Sequence, residues 1–262
     1  MIQETRIDEM TQGTREWKPN NENCLKGCKG NCRYCYAKKK AKQYKRTTDE
    51  TWPIMIPNGR YHRPVKFLEG GVMFPTTHDL HYENLHIWGE FLRELLIAGN
   101  EVLIVSKPEF ASIVWICTSF NRPGWKERIE FRFTIGTDND EKRKFWEPGA
   151  SPIDERIKCL KFAYDLGFKT SVSMEPMIDY FPEILVKKID QWVSGTIWIG
   201  IMNHMSVNDF TKEELSWYGE MQTINSKEHV QIVYDRLKMH PKIRWKDSIR
   251  ELLNLGANLN EL

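Results

Sequence analysis

Three cysteines in one short loop are the residues of this chain whose spacing points most directly to chemistry. Cys28, Cys32 and Cys35 are separated by three and then by two residues. A loop this short can turn three thiolates onto three corners of a cubane 4Fe-4S cluster, and no fourth cysteine follows at the spacing of an electron-carrying ferredoxin. The sequence therefore predicts a cluster with one open iron.

Zinc and structural thiols are the alternatives for these cysteines. Zinc sites usually draw their ligands from two separated pairs, and no Cys or His pair follows later in the chain at zinc-finger spacing. Cys24 is close enough in sequence to be a fourth zinc ligand, but ligand count favours the cluster and makes Cys24 a bystander. Cys117 and Cys159 fall on predicted helices, where we expect them to be small buried hydrophobes.

The composition fits one soluble α/β domain. The chain has 262 residues, of which 40% are hydrophobic and 12% aromatic, enough for a full core. No stretch approaches the roughly 20 apolar residues of a membrane span, and no apolar signal core is present. Four of the six cysteines crowd into a dozen positions, which suggests metal ligands in a reducing compartment. We expect a cytoplasmic monomer without membrane contacts.

Alternating apolar runs and amphipathic stretches indicate β/α units that would position the cysteine loop. Strands are predicted at 14–18, just before the cysteines, and then at 71–74, 101–106, 129–135, 169–174 and 195–201. Helices are predicted at 36–44, 85–98, 111–120, 152–166 and 182–193. Six such units predict a partial (β/α)6 TIM-type barrel with its site at the carboxyl ends of the strands.

The end of the chain is predicted to be helical. Helical stretches at 212–222, 227–239 and 245–255 follow the last predicted strand. We therefore expect a single domain over 1–262, with a core of about 14–205 and a helical C-terminal extension over 206–262.

Polar residues end each predicted strand, where a parallel barrel keeps its reactive groups. A turn of this kind usually only caps the following helix. Together with the cysteine loop, however, these residues are expected to form one rim around a single cluster. The candidates on the rim are Thr76, Thr77, Asp79, Lys107, Thr134, Glu175, Asn203 and His204.

The cysteine motif resembles that of the radical S-adenosylmethionine (SAM) superfamily, and a longer run resembles its spore photoproduct lyase branch. The run includes Thr-Ile-Gly-Thr-Asp and Trp-Glu-Pro within 133–148, then Gly149, which completes Trp-Glu-Pro-Gly, Glu155-Arg156, and 167–176. The likeness covers about 17–205. It implies that SAM binds the open iron, that an electron from a flavodoxin-like or ferredoxin-like donor cleaves it to a 5'-deoxyadenosyl radical, and that the radical takes hydrogen from a substrate.

The resemblance also implies contacts with the cofactor. Tyr34 matches the aromatic residue that usually precedes the last cysteine, and Tyr36 matches an aromatic residue that lies along the adenine. Lys107 would approach the SAM carboxylate, where a cation on a long stem is a natural partner. Thr134 matches a small hydroxyl residue that hydrogen-bonds the ribose.

The segment after the second predicted strand both matches and departs from the family pattern. Thr77 and Asp79 stand in the segment that corresponds to Gly-Gly-Glu, and they would receive the methionyl ammonium. Thr76 stands where the repair lyase has a cysteine that returns a hydrogen atom to the product. A threonine O–H bond is too strong for that role, which leaves Tyr82, Tyr180 or re-use of 5'-deoxyadenosine.

The substrate is expected over the barrel mouth near Glu175, Asn203 and His204. The resemblance and a basic segment favour a nucleic acid or nucleotide, because phosphates attract such patches. The basic segment comprises Lys38, Lys39, Lys40, Lys42, Lys45 and Arg46. A solvated helix face is the alternative interpretation of these charges.

Two other functions stay open. A radical SAM enzyme could act on a small metabolite or a peptide, although peptide-modifying members commonly carry a cysteine-rich C-terminal extension and no cysteine follows Cys159 here. A non-enzymatic module could instead hold zinc for structure and bind nucleic acid through the basic segment.

Overall fold

The computed structural model describes residues 13–203 and 205–256 and contains one curled, parallel seven-stranded sheet that forms a half-barrel. Along the sheet the strands follow one another in chain order. They are β1 (Asn20–Asn21), β4 (Val72–Phe74), β5 (Val102–Ser106), β6 (Ile129–Thr134), β7 (Lys169–Met174), β8 (Ile197–Ile199) and β9 (Ile243–Trp245). A separate antiparallel pair, β2 (Leu25–Lys26) and β3 (Ile56–Pro57), flanks the cysteine loop.

Helices lie between the parallel strands, and the last helix follows β9. They are α1 (Tyr36–Gln43), α2 (Leu85–Ile97), α3 (Phe110–Phe120), α4 (Asp140–Trp146), α5 (Ile153–Asp165), α6 (Pro182–Ile189), α7 (Leu215–Ile224), α8 (Lys227–Leu237) and α9 (Asp247–Leu253). Within the described ranges, none of these helices has the length and apolar character needed to cross a membrane.

The side chains of β6 point alternately to the two faces of the sheet, and this alternation explains which face carries the site. Phe131 and Phe133 are fully buried, stack on each other and belong to the hydrophobic core. Thr134 and Arg132 project to the opposite, inner face, since successive strand residues point to opposite sides. Polar residues therefore line the concave side, while the apolar side packs against the helices. Cys117 and Cys159 are both completely buried in that core, as predicted.

The strand predicted at 14–18 is wrong. Residues Gly13–Glu16 form a short 3-10 helix, and the first strand of the sheet is β1, directly after Pro19. The Asn20 amide donates to the carbonyl oxygens of Glu69 (2.8 Å) and Gly71 (3.0 Å), which fixes β1 beside β4. Two asparagines have no apolar alternation, so the sequence pattern could not locate this strand.

The last strand, β9, was not predicted. The sequence pattern placed a helix over 245–255, whereas β9 ends at Trp245 and α9 begins at Asp247. β9 pairs with β8 in parallel, with Ile197 opposite Ile243. The segment expected to be wholly helical therefore contributes a seventh strand to the half-barrel.

Candidate functional site

A cavity of about 820 Å³ lies at the carboxyl end of the parallel sheet. The structure brings to it every rim and cysteine-loop residue singled out in the sequence except His204, which lies outside the described residues. The residues are Cys28, Cys32, Tyr34, Cys35, Tyr36, Thr76, Thr77, Asp79, Lys107, Thr134, Glu175 and Asn203. Residues from opposite ends of the chain thus share one chamber.

The cysteine loop is fixed in place by the turn that follows α4. Gly149 donates to the Gly30 carbonyl (3.1 Å), and Arg33 donates its backbone N–H to the Trp146 carbonyl (2.9 Å). A Cβ atom at position 149 would lie 1.9 Å from the Lys29 carbonyl oxygen, so only glycine allows this approach. The Trp-Glu-Pro-Gly run noted in the sequence therefore supports the cysteines.

The three cysteines stand around the loop rather than at a single point. A Cβ atom at Gly30 would lie 3.4 Å from Cys28 Sγ and 3.9 Å from Cys32 Sγ, so these sulfurs flank the glycine. Cys35 caps α1, with its Sγ accepting from the Lys38 N–H (3.4 Å). In the described part of the chain no three Cys, His, Asp or Glu side chains converge to hold one metal ion.

This donor set fits an iron–sulfur cluster better than a single ion. A cluster presents separate irons to its cysteines, whereas one zinc ion needs its ligands at the corners of one small tetrahedron. Burial raises the pKa of the Cys28 thiol, and it raises the pKa of Cys32 to about 12 although Lys107 opposes the shift. A cation must therefore replace the protons before these thiols can act as ligands.

Cys24 does not join the other three cysteines. It is completely buried, it is not among the residues that line the cavity, and its Sγ lies 3.7 Å from His78 Nε2. Burial lowers the pKa of His78 to about 4, so its ring is neutral at physiological pH. The pair is a neutral packing contact beside the site.

A buried carboxylate, Glu147, links three parts of the site, and sequence reasoning gave it no role. Tyr34 donates its hydroxyl to Glu147, and Arg156 forms an ion pair with it at 2.5 Å. Lys107 Nζ lies 4.0 Å from the same carboxylate. Burial opposes ionisation of Glu147, but Arg156 and then Lys107 hold its pKa below its usual range. Its only signal in the sequence was the Trp-Glu-Pro-Gly and Glu-Arg runs.

Lys107 keeps its charge in the cavity. Burial alone would lower its pKa, but the surrounding Cys32, Glu147 and Asp79 raise it above the usual lysine value. Its ammonium also lies 5.6 Å from the centre of the Tyr34 ring. A permanent cation therefore stands beside the cysteine loop, which is what an anionic group of a cofactor requires.

Asp79 is a second buried anion on the same side. Its carboxylate accepts from the backbone N–H groups of Leu80 (2.7 Å) and Lys107 (2.9 Å) and from the Ser106 hydroxyl. Burial raises its pKa, but His81 and Lys107 outweigh that effect, and the pKa is lowered overall. Asp79 is therefore ionised and able to accept from a positively charged amine.

Asn23, which sequence reasoning missed, shapes the segment after β4. Its side-chain oxygen accepts from the backbone N–H groups of Thr76 and Thr77, both at 2.8 Å, and its amide donates to Thr76 Oγ1 (2.7 Å). Tyr36 donates its hydroxyl to the Thr76 carbonyl (2.8 Å). The threonine turn is therefore held against the cysteine loop.

The two tyrosines considered as hydrogen-atom donors lie elsewhere. Tyr82 is exposed in the 3-10 turn before α2, and Tyr180 packs edge-on against His229, 4.8 Å between ring centres. Neither lines the cavity. The tyrosines that do line it are Tyr34 and Tyr36 of the cysteine loop.

Glu175 directly follows β7 at the other side of the cavity. Lys246, which follows β9, pairs with it at 3.9 Å, but that lysine is paired more closely with Glu16 at 2.6 Å. Burial raises the pKa of Glu175 to about 7, and Lys246 only partly opposes the shift. Gly200 makes room for both side chains, because a Cβ there would lie 3.0 Å from Glu175 Cγ and from Lys246 Cγ.

Part of the basic segment on α1 is neutralised within the protein. Lys38 and Lys42 both pair with Asp49, the former at 2.9 Å, and Lys39 pairs with Asp209 at 2.7 Å. These pairs are at least partly exposed, so each contributes about 1 kcal/mol or less to stability. The charge that remains to attract a polyanion is smaller than the sequence count indicates.

The fold is similar to that of spore photoproduct lyase. A cysteine-to-alanine variant of that enzyme with dinucleoside spore photoproduct has a TM-score of 0.55 and 13% identity, covering 86% of this chain and 75% of that one. A tyrosine-to-phenylalanine variant has a TM-score of 0.51 and 14% identity, covering 84% and 65%. At these identities the likeness shows the fold, and it confirms the partial barrel expected from the sequence.

A weaker likeness concerns SuiB from Streptococcus suis bound to S-adenosylmethionine. Its TM-score is 0.45 with 9% identity, covering 70% of this chain and 40% of that one. No family model matches the chain, and no curated protein matches it either.

Proposed function

We propose that this protein is a radical SAM enzyme in which Cys28, Cys32 and Cys35 hold a 4Fe-4S cluster and SAM binds at the open iron. When bound, this pair supplies a 5'-deoxyadenosyl radical that removes hydrogen from a substrate. The observation that carries the proposal is the shared cavity: three cysteines of one loop face the same chamber as charged and hydroxyl groups from the ends of four successive strands.

The chain's own residues account for the polar groups of SAM. The Lys107 ammonium is a fitting partner for the carboxylate, and the ionised Asp79 is a fitting partner for the amine. Thr134 at the end of β6 offers a hydroxyl to the ribose, and the exposed ring of Tyr36 offers a surface for the adenine. Glu147 holds Tyr34 and Lys107 in position and keeps Lys107 charged.

A nucleic acid or nucleotide is the substrate class that we propose. The support is the shared fold with an enzyme solved with dinucleoside spore photoproduct, together with the exposed basic residues of α1 and the segment after it. Thr76 in place of a thiol argues against the same route of hydrogen return. A small metabolite or peptide stays the alternative, and the electron would come from a flavodoxin-like or ferredoxin-like protein in the cytoplasm.

Anaerobic reconstitution with iron and sulfide tests the chemistry directly. We expect a brown protein with about four irons per chain, and formation of 5'-deoxyadenosine after dithionite and SAM are added. The Cys28→Ala/Cys32→Ala/Cys35→Ala variant should bind no cluster, whereas Cys24→Ala should reconstitute as the unaltered protein does. A colourless protein that retains one zinc ion would instead support the structural module and end the radical SAM proposal.

A further inference from the structure

The side of the cavity away from the cysteine loop contains polar groups that the proposed cofactor contacts do not use. The cysteine loop follows β1 at one edge of the sheet, whereas Glu175, Asn203 and Lys246 follow β7, β8 and β9 toward the other edge. At about 820 Å³ the cavity is near the upper end of the roughly 300–1,000 Å³ typical of ligand pockets. A second ligand therefore has a distinct place to bind.

The segment Gly13–Trp17 forms one wall of this second region. Lys246 Nζ donates to the Gly13 carbonyl (2.8 Å) and pairs with Glu16 (2.6 Å), and Arg250 also bonds Glu16. Lys246 further lies 4.5 Å from the centre of the Trp17 ring. These buried contacts fix the backbone of the wall.

Arg15 is the charged side chain of the segment 13–17 that takes no part in the contacts fixing that segment. It is exposed and lines the cavity, and no residue within 13–203 or 205–256 forms an ion pair or hydrogen bond with it. Glu16, the adjacent carboxylate, is occupied by Lys246 and Arg250. Within the described part of the chain, the guanidinium is thus left for an anionic group, which it can bind through two parallel hydrogen bonds.

Glu175 is only weakly engaged, through the ion pair with Lys246 at 3.9 Å. Its side chain is 25% exposed, and no described residue donates a hydrogen bond to it. The charged groups that face it are Lys246, Asp247, Glu16 and Arg132, and burial is the largest influence on its pKa, which it raises to about 7. Below that pH the carboxyl is neutral and can donate its proton to a ligand oxygen.

We propose that Arg15 and Glu175 form a substrate-recognition subsite for a ligand with one anionic phosphodiester, which Arg15 binds, and a neutral carbonyl group, which the Glu175 carboxyl group binds. The subsite deepens the proposed function, since its ligand would be the substrate. Asn203, exposed on the loop after β8, adds a further amide donor on the same side.

The test is calorimetric titration of the reconstituted, SAM-loaded protein with thymidylyl-thymidine, whose phosphodiester does not titrate between pH 6 and 8. Since Glu175 ionises near pH 7, we expect about tenfold tighter binding at pH 6 than at pH 8. Glu175→Gln should remove this pH dependence, because the amide donates a hydrogen bond at both pH values. Arg15→Gln should weaken binding about tenfold at both pH values.

Two controls separate the subsite from general electrostatics and from the proposed chemistry. Lys187→Gln removes an exposed charge of α6 that does not line the cavity and should leave the affinity unchanged, and uncharged thymidine should not distinguish Arg15→Gln from the unaltered protein. Absence of binding at pH 6, normal affinity in Arg15→Gln, or a pH dependence that persists in Glu175→Gln would overturn the subsite. Iron content and 5'-deoxyadenosine formation by the unaltered protein test the enzyme proposal independently.

Discussion

A single buried carboxylate joins the cysteine loop, a strand end and a helix. Glu147 accepts from Tyr34, pairs with Arg156 of α5 and lies near Lys107. Arg156 in turn donates to the carbonyl oxygens of Ser151 (2.8 Å) and Thr134 (3.1 Å). A buried charge of this kind is tolerated only while its partners remain, so its loss should cost more than one hydrogen bond.

Replacing this carboxylate by its amide should destabilise the protein markedly. In Glu147→Gln the completely buried Arg156 loses its counter-ion, and breaking a buried pair by removing one partner costs about 3–5 kcal/mol. We expect the free energy of unfolding, measured by urea titration of the apoprotein, to fall by about that amount.

A surface pair and a double variant serve as controls for this change. Glu214→Gln removes the partner of Arg33 from a partly exposed pair and should cost less than about 1 kcal/mol. Adding Arg156→Met to Glu147→Gln should recover part of the loss, because no unpaired charge remains. Equal losses of unfolding free energy in Glu147→Gln and Glu214→Gln would show that the buried pair contributes no more to stability than the surface pair.

The cysteine loop depends on the turn at residues 146–149 for its shape. Gly149→Ala would place a Cβ atom 1.9 Å from the Lys29 carbonyl oxygen, and backbone cannot yield as a flexible side chain can. We expect the loop to shift and the iron content after reconstitution to fall to less than about half of that of the unaltered protein.

Gly219→Ala is the matched control for this substitution. Gly219 lies on α7, and a Cβ there meets nothing within 4 Å. Alanine should therefore leave the iron content unchanged and should stabilise the helix by about 0.5–1 kcal/mol. Normal cluster loading in Gly149→Ala would contradict the role given to the turn.

Strands with a clear local sequence pattern could be predicted from the sequence. Short strands that are recognised only by their pairing with a neighbouring strand could not. The strands β5, β6 and β7 have five or six residues each, and the predicted bounds lie within one residue of their observed ends. β1 is two asparagines and β9 is three residues, too short for any periodicity to appear. Helix α4, which leads into the glycine turn, was also missed because it has only seven residues.

At the scale of the whole molecule, the ends of the half-barrel are joined by charges rather than by a further strand. Gly13 donates its backbone N–H to Asp247 (2.6 Å), and Glu16 receives both Lys246 and Arg250. The short segment 13–17 thus connects the edge near β1 with the edge formed by β9. Local opening of this connection would expose one side of the cavity.

Removing the carboxylate at position 16 should loosen this connection selectively. In Glu16→Gln the nearly fully buried Lys246 and Arg250 lose their shared counter-ion. We expect amide hydrogen exchange at residues 13–18 to become more than about tenfold faster, with iron loading unchanged. Glu101→Gln, which breaks the exposed pair with Lys18, should change exchange far less. Equal protection in Glu16→Gln and the unaltered protein would contradict this role.

The candidate site divides in the same way between what the sequence could and could not predict. Cys28, Lys107 and Thr134 follow from motif spacing and from the rule that strand ends carry reactive groups. Glu147 and Arg15 were missed because their importance arises from contacts between distant segments. Neither a buried ion pair nor a cavity wall formed by segments from opposite ends of the chain produces a local sequence pattern.

The contact between Gly13 and Asp247 spans 234 positions of the chain. Because closing so long a loop costs conformational entropy, we expect this contact to form late in folding. On the ribosome, the cysteine loop and its strand neighbours emerge well before Asp247 does. The wall that lies opposite the cysteine loop can therefore be completed only after synthesis has passed the last strand.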